Sequence, residues 1–369
     1  MAPAVIVVII IAVVAVVGGA ILFTRGGGTS SGTGSTSGII SLTLTASKTM
    51  TPNSDYRTGV FDRIFYNASR NKFYLTMACL GAGSEDNSFS NQYYVYYELD
   101  SDLNQTGVSG LIPVTQQGDY AIASDGTYYY FLTGHPQGWR LFKLDSDFQV
   151  VDNVVVPFSI DNEAGNDELL NYTNGKLYMA TLYDTQGTGQ NYYTGTHNYT
   201  TYPHLFTYNT SLQLLENHYL LDESNIPAGG SIIFNDNKYQ IVTANTMGNS
   251  TLSVYQWDSN WNYLGKTTLV SGGNWSQGLL YENGLYYLAY HIGQHNNGGV
   301  VLAVYDNDWN KITSADVAER GGATNSDRPW IIKVGDKIYV SYDVATASSG
   351  GVESRDWQCH IDVYTVSEQ

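Results

Sequence analysis

Asn283-Gly284-Leu285-Tyr286 reads as a turn pair followed at once by a Tyr-rich strand, which is a hairpin signature. Five relatives begin at Asn71-Lys72-Phe73-Tyr74, Asp125-Gly126-Thr127-Tyr128, Asn174-Gly175-Lys176-Leu177-Tyr178, Asp236-Asn237-Lys238-Tyr239 and Gly335-Asp336-Lys337-Ile338-Tyr339. Their spacing is irregular but stays near roughly 50 residues, the period of a four-stranded propeller blade. A second signature recurs between the copies. It runs Leu99-Asp100-Ser101-Asp102-Leu103-Asn104, with relatives starting at Leu144, Tyr208, Trp257 and Tyr305. Asp and Asn favour tight turns because their side chains bond the local backbone. The first signature therefore marks the a–b hairpin of each blade and the second the c–d hairpin. In the first blade the four strands are expected at 61–67, 72–79, 92–99 and 107–114.

The sixth copy has no c–d signature, and its third strand, 357–366, is the last in the sequence. An unpaired strand, 39–46 (IISLTLTA), precedes the first copy. Set as the outer strand of the sixth blade, it closes the ring and removes an exposed edge. The expected fold is all-β, a six-bladed β-propeller over 39–369 closed by its N-terminal strand. A β-sandwich would leave six copies of the same turns unexplained. Strands within a blade alternate in direction, so the short a–b and c–d turns share one face. The longer b–c loops, 80–91, 184–202, 291–298 and 344–356, share the other. Short turns on one face and long loops on the other is the usual division between scaffold and function.

The 369 residues suffice for one large β domain. Gly (38) and Tyr (31) are abundant, and charged residues make up only 14%, a composition that suits an extracellular β protein rather than a disordered one. The formal charge of −17 repels phosphate backbones and argues against a nucleic-acid partner. Two cysteines, Cys79 and Cys359, make no disulfide framework. Both map near the long-loop side of adjacent blades, so one bridge across the ring closure is a reading the sequence leaves open.

Residues 3–23 (PAVIVVIIIAVVAVVGGAILF) are apolar and uncharged. About 20 residues at 1.5 Å each match the roughly 30 Å hydrocarbon core of a bilayer. Residues 1–23 are therefore read as an uncleaved transmembrane anchor. Gly18 and Ala20 offer small residues for cleavage, but a basic n-region is missing and the run is long for a signal peptide. A pilin-like helix is a third reading, without the basic leader that pilins carry. Residues 24–38 (TRGGGTSSGTGSTSG) read as a flexible linker. Arg25 alone votes for a cytoplasmic propeller. The linker and seven N-x-S/T sequons, at Asn67, Asn104, Asn171, Asn198, Asn209, Asn249 and Asn274, vote for the outside. The expectation is a single-pass cell-membrane glycoprotein with its propeller outside the cell. Residue 39 starts on the short-turn side, which would turn the long-loop face away from the membrane.

The first strand of each blade lines the central channel, and its first residues sit at the long-loop mouth. Counting back eight to ten positions from each a–b turn gives Asp62 and Arg63 in blade one, Asp119 in blade two, and Asp167 and Glu168 in blade three. It gives Gln277 in blade five and Asp327 and Arg328 in blade six. Closing the ring sets the two Asp-Arg pairs side by side. Arg57, Arg320 and Arg355 fall on loops of the same two blades, so five of eight arginines share one sector. Guanidinium groups grip carboxylate and phosphate in bidentate fashion. The eight residues are thus candidates to bind an anionic or polyhydroxy ligand. Equally, these arginines would neutralise nearby Asp side chains and tie blade to blade.

Tyr192, Tyr193, Tyr199, Tyr202 and Trp275 map to the long-loop face, where rings would stack on sugars, whereas Trp330 reads as core. His135, His197, His204, His291 and His295 map near the same face, the last two in a Gly/Asn loop, but no metal motif accompanies them. The Asp100, Asp102, Asn104 set lacks the Gly and distal Glu of a calcium loop, and turn chemistry explains it. No metal and no cofactor are expected.

The layout resembles the sialidase-type six-bladed propeller, whose Asp box has the pattern S-x-D-x-G-x-T-W at the c–d turn. Residues 100–107 (DSDLNQTG) place Asp102 and Thr106 in register with that box, with Asp for the Ser, Asn for the Gly and Gly for the Trp. Arg63-Ile64-Phe65 is similar to the family's first-blade R-I-P, without the Pro. The resemblance implies Arg63 as one member of an arginine triad that grips a substrate carboxylate. It leaves the nucleophile pair unassigned and offers Asp62 for the acid by position alone. Three functions remain in view: a surface protein that binds a ligand or partner, including carbohydrate; a sialidase-like glycoside hydrolase; and a structural component of a surface layer or filament.

Overall fold

The computed structural model describes residues 40–50, 56–81, 92–114, 120–135, 138–157, 163–184, 201–220, 230–244, 251–293, 298–318, 324–346 and 357–368. All of them belong to the unit Ile39–Gln369. Strand β1 (Ile40–Met50) comes first. Blade one holds β2 (Tyr56–Asn67), β3 (Lys72–Gly81), β4 (Gln92–Leu99) and β5 (Gln105–Leu111). Blade two holds β6 (Tyr120–Ser124), β7 (Tyr129–His135), β8 (Gly138–Leu144) and β9 (Val150–Val155). Blade three holds β10 (Glu163–Thr173), β11 (Lys176–Asp184), β12 (Thr201–Asn209) and β13 (Leu214–Tyr219). Blade four holds β14 (Gly230–Asn235), β15 (Lys238–Ala244), β16 (Thr251–Asp258) and β17 (Tyr263–Ser271). Blade five holds β18 (Gly273–Glu282), β19 (Leu285–Ile292), β20 (Gly299–Tyr305) and β21 (Lys311–Ala318). Blade six holds β22 (Thr324–Val334), β23 (Lys337–Thr346) and β24 (Trp357–Glu368), with β1 paired outside β24. The fold is a six-bladed β-propeller, and its N-terminal strand closes the ring.

Closure is longer than the sequence pattern implied. β1 pairs antiparallel with β24 from Ile40↔Glu368 to Met50↔Cys359, with a bulge between Leu44 and Ala46. Thr45 donates to the Val363 carbonyl at 3.0 Å across that bulge, so the ladder continues past residue 46. Ile40 lies at the short-turn end, because Val366 beside it donates to the Asp336 carbonyl of the β22–β23 turn at 2.8 Å.

The two repeated signatures turn out to be two halves of one contact. In the a–b turns of blades three to five both loop residues have positive φ: Asn174 (50°) and Gly175 (78°), Asp236 (47°) and Asn237 (57°), Asn283 (53°) and Gly284 (81°). That is the two-residue hairpin turn whose twist matches the strands. In the c–d turns the leading Asp or Asn caps the loop with one side-chain oxygen. Asp100 Oδ1 accepts from the Asp102 and Asn104 amides at 2.9 and 2.8 Å. Asp145, Asn209, Asp258 and Asp306 do the same in their blades. The fourth residue of each loop is left-handed although it is large: Leu103, Phe148, Leu212, Trp261 and Trp309 have φ of 62°, 60°, 58°, 69° and 61°. Such a conformation costs about 1–2 kcal/mol in a non-glycine residue. It is repaid by direction, since it aims the side chain inward. Phe148 stacks on Tyr129 at 4.9 Å, Trp261 on Tyr239 at 4.0 Å and Trp309 on Tyr286 at 4.0 Å. The turn plugs therefore pack on the tyrosines that follow the a–b turns. Because the loop ends at residue 104, the outer strand of blade one starts at Gln105 rather than at 107.

The core is a ring of seams. Six hydrophobic clusters among the described residues each span two neighbouring blades. Polar latches cross the same seams. Asn67 of blade one donates to the Tyr129 hydroxyl of blade two at 2.8 Å, and Asn235 of blade four to the Tyr286 hydroxyl of blade five at 2.8 Å. Among the described residues no helix is long and apolar enough to cross a membrane. The anchor and linker expected over 1–38 lie outside the described residues.

Candidate functional site

The first strands carry their irregularities at one height. β2 slips between Val60 and Arg63, β10 between Ala164 and Leu169, β18 between Asn274 and Gly278, and β22 between Asp327 and Trp330. Bulges re-aim side chains and gather beside functional sites. Seven of the eight residues singled out from the sequence stand in or beside these slips: Asp62 and Arg63, Asp167 and Glu168, Gln277, and Asp327 and Arg328. Asp119 lies outside the described residues, as do the side chains of Asp167, Glu168, Gln277 and Asp327. Tyr192, Tyr193, Tyr199, His197 and His295 lie outside them too, as do Arg320 and Arg355. Arg57 falls within β2 and not on a loop, because that strand pairs as far as Tyr56↔Gly81. His291 likewise belongs to β19 and is buried at 1% exposure, not in a loop.

Where blades six and one meet, the two Asp-Arg pairs do come together. Asp62, Arg63 and Asp343 are buried. Arg328 Nη1 bridges to Asp343 Oδ2 at 3.2 Å, with 12% of its side chain exposed. Asp343 faces Asp327 in the β22–β23 register, and its other oxygen accepts from the Asp62 amide at 3.3 Å. Ser341 donates to the Asp62 carbonyl at 2.9 Å and accepts from the Ile64 amide at 3.3 Å. The innermost strand of blade one is thus stitched to the second strand of blade six. Arg328 itself has φ of 50° and precedes Pro329. Proline disfavours helical backbone before it, so the bulge holds Arg328 in a strained shape, with the Asp343 bridge on its side chain.

Arg63 is 2% exposed. Its guanidinium lies 5.0 Å from the Trp330 ring and 5.7 Å from Tyr120, and reaches the Asp62 and Arg328 carbonyls at 3.5 Å. It spans blades six, one and two. Asp62 has no well-formed hydrogen bond to either carboxyl oxygen among the described residues. Burial first, then the Asp343 carboxyl, pushes its pKa well above the ordinary carboxylate range. Cys79 and Cys359 are free, buried thiols. Burial and then the Asp62 charge raise both. The bridge across the ring closure is not formed.

Asp343 and Ser341 were not among the residues singled out from the sequence. The available signal was a carboxylate inside the apolar run Ile338-Tyr339-Val340-Ser341-Tyr342-Asp343-Val344, since a buried charge needs a partner. Inside the ring of first strands lies a channel of about 340 Å³. Trp330, read as core, is half-buried and borders this channel.

No protein-family model matches the chain, and no curated protein matches it in sequence. Solved structures do. The hemagglutinin-neuraminidase ectodomain of parainfluenza virus 5 superposes with a TM-score of 0.55 at 10% identity, over 89% of this chain and 85% of that one. The subtype N11 neuraminidase-like protein of a flat-faced bat strain from Peru (H18N11) gives 0.52 at 10% identity, over 86% and 94%. The subtype N10 neuraminidase-like protein of a little yellow-shouldered bat strain from Guatemala gives 0.51 at 9% identity, over 88% and 99%. At such identities the likeness is one of fold, and at that level it agrees with the sialidase-type resemblance in the sequence.

Proposed function

We propose that the chain is a membrane-anchored, extracellular β-propeller that binds carbohydrate at its long-loop face without hydrolysing it. The observation that carries this reading is the tier of bulges, which brings acid, amide and guanidinium residues of four blades to one height of the central channel. Asp167, Glu168, Gln277, Asp327 and Arg328 supply groups of the kind that bond sugar hydroxyls. The hemagglutinin-neuraminidase and neuraminidase-like neighbours share this architecture. Recognition is favoured over sialidase chemistry by Arg63, which is 2% exposed and stacked on Trp330, and by Arg328, which Asp343 already neutralises. A triad gripping a carboxylate needs Arg63 turned toward the ligand and the charge of Arg328 uncompensated.

The anchor is residues 1–23, the linker 24–38, and the partner class is a glycan or a glycosylated surface protein. The test uses the full chain in lipid nanodiscs on a glycan array, with the Arg328→Ala variant beside it. Binding to a restricted set of glycans, lost in the variant, is the expected result. Release of sialic acid from sialosides, abolished by Arg328→Ala, would replace this reading with a glycosidase. Binding to no glycan would leave the surface-layer reading in its place.

A further inference from the structure

The bulges occupy one end of the central channel, and the other end has different chemistry. The channel volume of about 340 Å³ lies within the range of small-molecule pockets. Its mouth is on the short-turn face, where Tyr66, Ser124, Tyr172 and Lys333 border it close to the ends of their strands and are half-buried. The inner end is bordered by Trp330 together with Gly230 and Gly278. Gly278 permits blades five and six to close up, since a Cβ there would stand 3.0 Å from the Ile331 amide nitrogen. Gly230 lets β14 lie close on β15, since a Cβ there would run into the Val242 carbonyl oxygen.

Each blade adds apolar surface to the wall: Phe65, Ile122, Leu170, Ile232, Leu279 and Ile331 in ring order. Among the described residues bordering the channel the one charged side chain is Lys333, and it is held at 2.8 Å by Glu282 and at 2.8 Å by the Gly335 carbonyl. From the short-turn mouth inward, an ion would lose hydration and meet no uncompensated charge among these described wall residues. The small polar side chains of the wall, Ser124, Asn171 and Ser231, come from three successive blades and line one side, while Tyr66, Tyr129, Tyr172 and Trp330 add ring-borne polar groups around it. At the inner end the Trp330 Nε1 donor is buried with no partner among the described residues.

We propose that this channel is a second binding site, open on the short-turn face, for a neutral small molecule with an apolar body and hydroxyl or carbonyl groups along one edge. It opens on the face opposite the long-loop site and does not depend on it. Asn171 lies in its wall, so this sequon faces a ligand and not a glycan.

Benzophenone is the probe, because it is neutral, apolar and carries one carbonyl that inserts into nearby C–H bonds on irradiation. The full chain in lipid nanodiscs is photolabelled over a range of concentrations and mapped by peptide mass spectrometry. The expected result is saturable labelling within β10, β18 and β22, with the sulfonated analogue weaker by about tenfold or more. Asn171→Phe and Leu280→Trp each fill the channel from a half-buried position and are expected to cut labelling by about tenfold or more. Near-UV circular dichroism checks that they fold. Should both variants misfold, competition by diphenylmethanol, which has the same shape but no photoreactive carbonyl, against photolabelling of the wild-type chain decides: loss of labelling supports the site, and undiminished labelling overturns it. Labelling confined to other strands, labelling that does not saturate, or equal affinity for the sulfonate would overturn the proposal.

Discussion

Asp62 is a carboxyl group whose surroundings favour a proton. It is buried, and Asp343 stands beside it with one oxygen already bound to Arg328. The folded chain therefore keeps a proton that the unfolded chain releases above about pH 4. Stability from this group is greatest in acid and falls as pH rises toward the folded-state value, by about 1.4 kcal/mol per unit while one proton separates the states. Asp62→Asn keeps the shape and deletes the titration. The urea midpoint of the wild type is expected to decline as pH rises above about 4, and that of the variant to change less. Other buried groups, such as Asp362 with its raised pKa and His360 with its lowered one, act in both proteins and cancel in the comparison. Parallel profiles would mean that Asp62 is ionised in the fold. Asn67 gives a second residue-scale prediction. It is 4% exposed and its amide is committed to Tyr129, so peptide mapping after expression in a glycosylating host is expected to find no glycan there.

At the scale of the element, the c–d turn sets backbone strain against burial. Trp309 is 4% exposed, and its indole donates to Gln240 Oε1 at 2.8 Å in blade four. Trp309→Gly relieves the positive φ, worth about 1–2 kcal/mol. It also removes a buried ring whose loss typically costs about 3–5 kcal/mol. The net expectation is a loss of about 1–4 kcal/mol in chemical denaturation, whereas glycine in an exposed left-handed turn would stabilise. Asp306→Ala, which deletes only the cap, is expected to cost about 1 kcal/mol. A stabilised Trp309→Gly variant would show that the plug contributes nothing. These turns were legible because their chemistry is local: an Asp that bonds two amides within four residues leaves its mark in the sequence. The contact between the plug and Tyr286 was not, because it depends on the register of strands 20 or more residues apart. The bulges were hidden for the same reason. Position along β2 and β22 pointed to Asp62, Arg63 and Arg328, but the slips that bury Arg63 and turn Arg328 toward Asp343 are set by pairing with β3 and β23.

At the scale of the whole molecule, every hydrophobic cluster among the described residues joins two blades, and none is confined to one. A ring of this kind is only as cooperative as its closure. β1 provides that closure, pairing along β24 and sending Met50 into the seam of blades six and one, where Cys79 and Cys359 also lie. Lys48 extends the tie by donating to Asn104 Oδ1 of blade one at 2.9 Å. Without β1, β24 becomes an unpaired edge, a template for pairing with another chain, and the seam of blades six and one loses a buried side chain. A chain starting at residue 51 is therefore expected to elute as aggregates or edge-paired dimers in size-exclusion chromatography and to lose its single sharp unfolding transition. Leu44→Glu is the control, because Leu44 is 52% exposed on the outer strand and its backbone pairing with Tyr364 survives the change. That variant should keep the elution volume and transition of the intact protein. If the truncated chain behaves as the intact one does, the five complete blades hold the ring by their seams alone, and strand closure is not what makes the propeller one cooperative body.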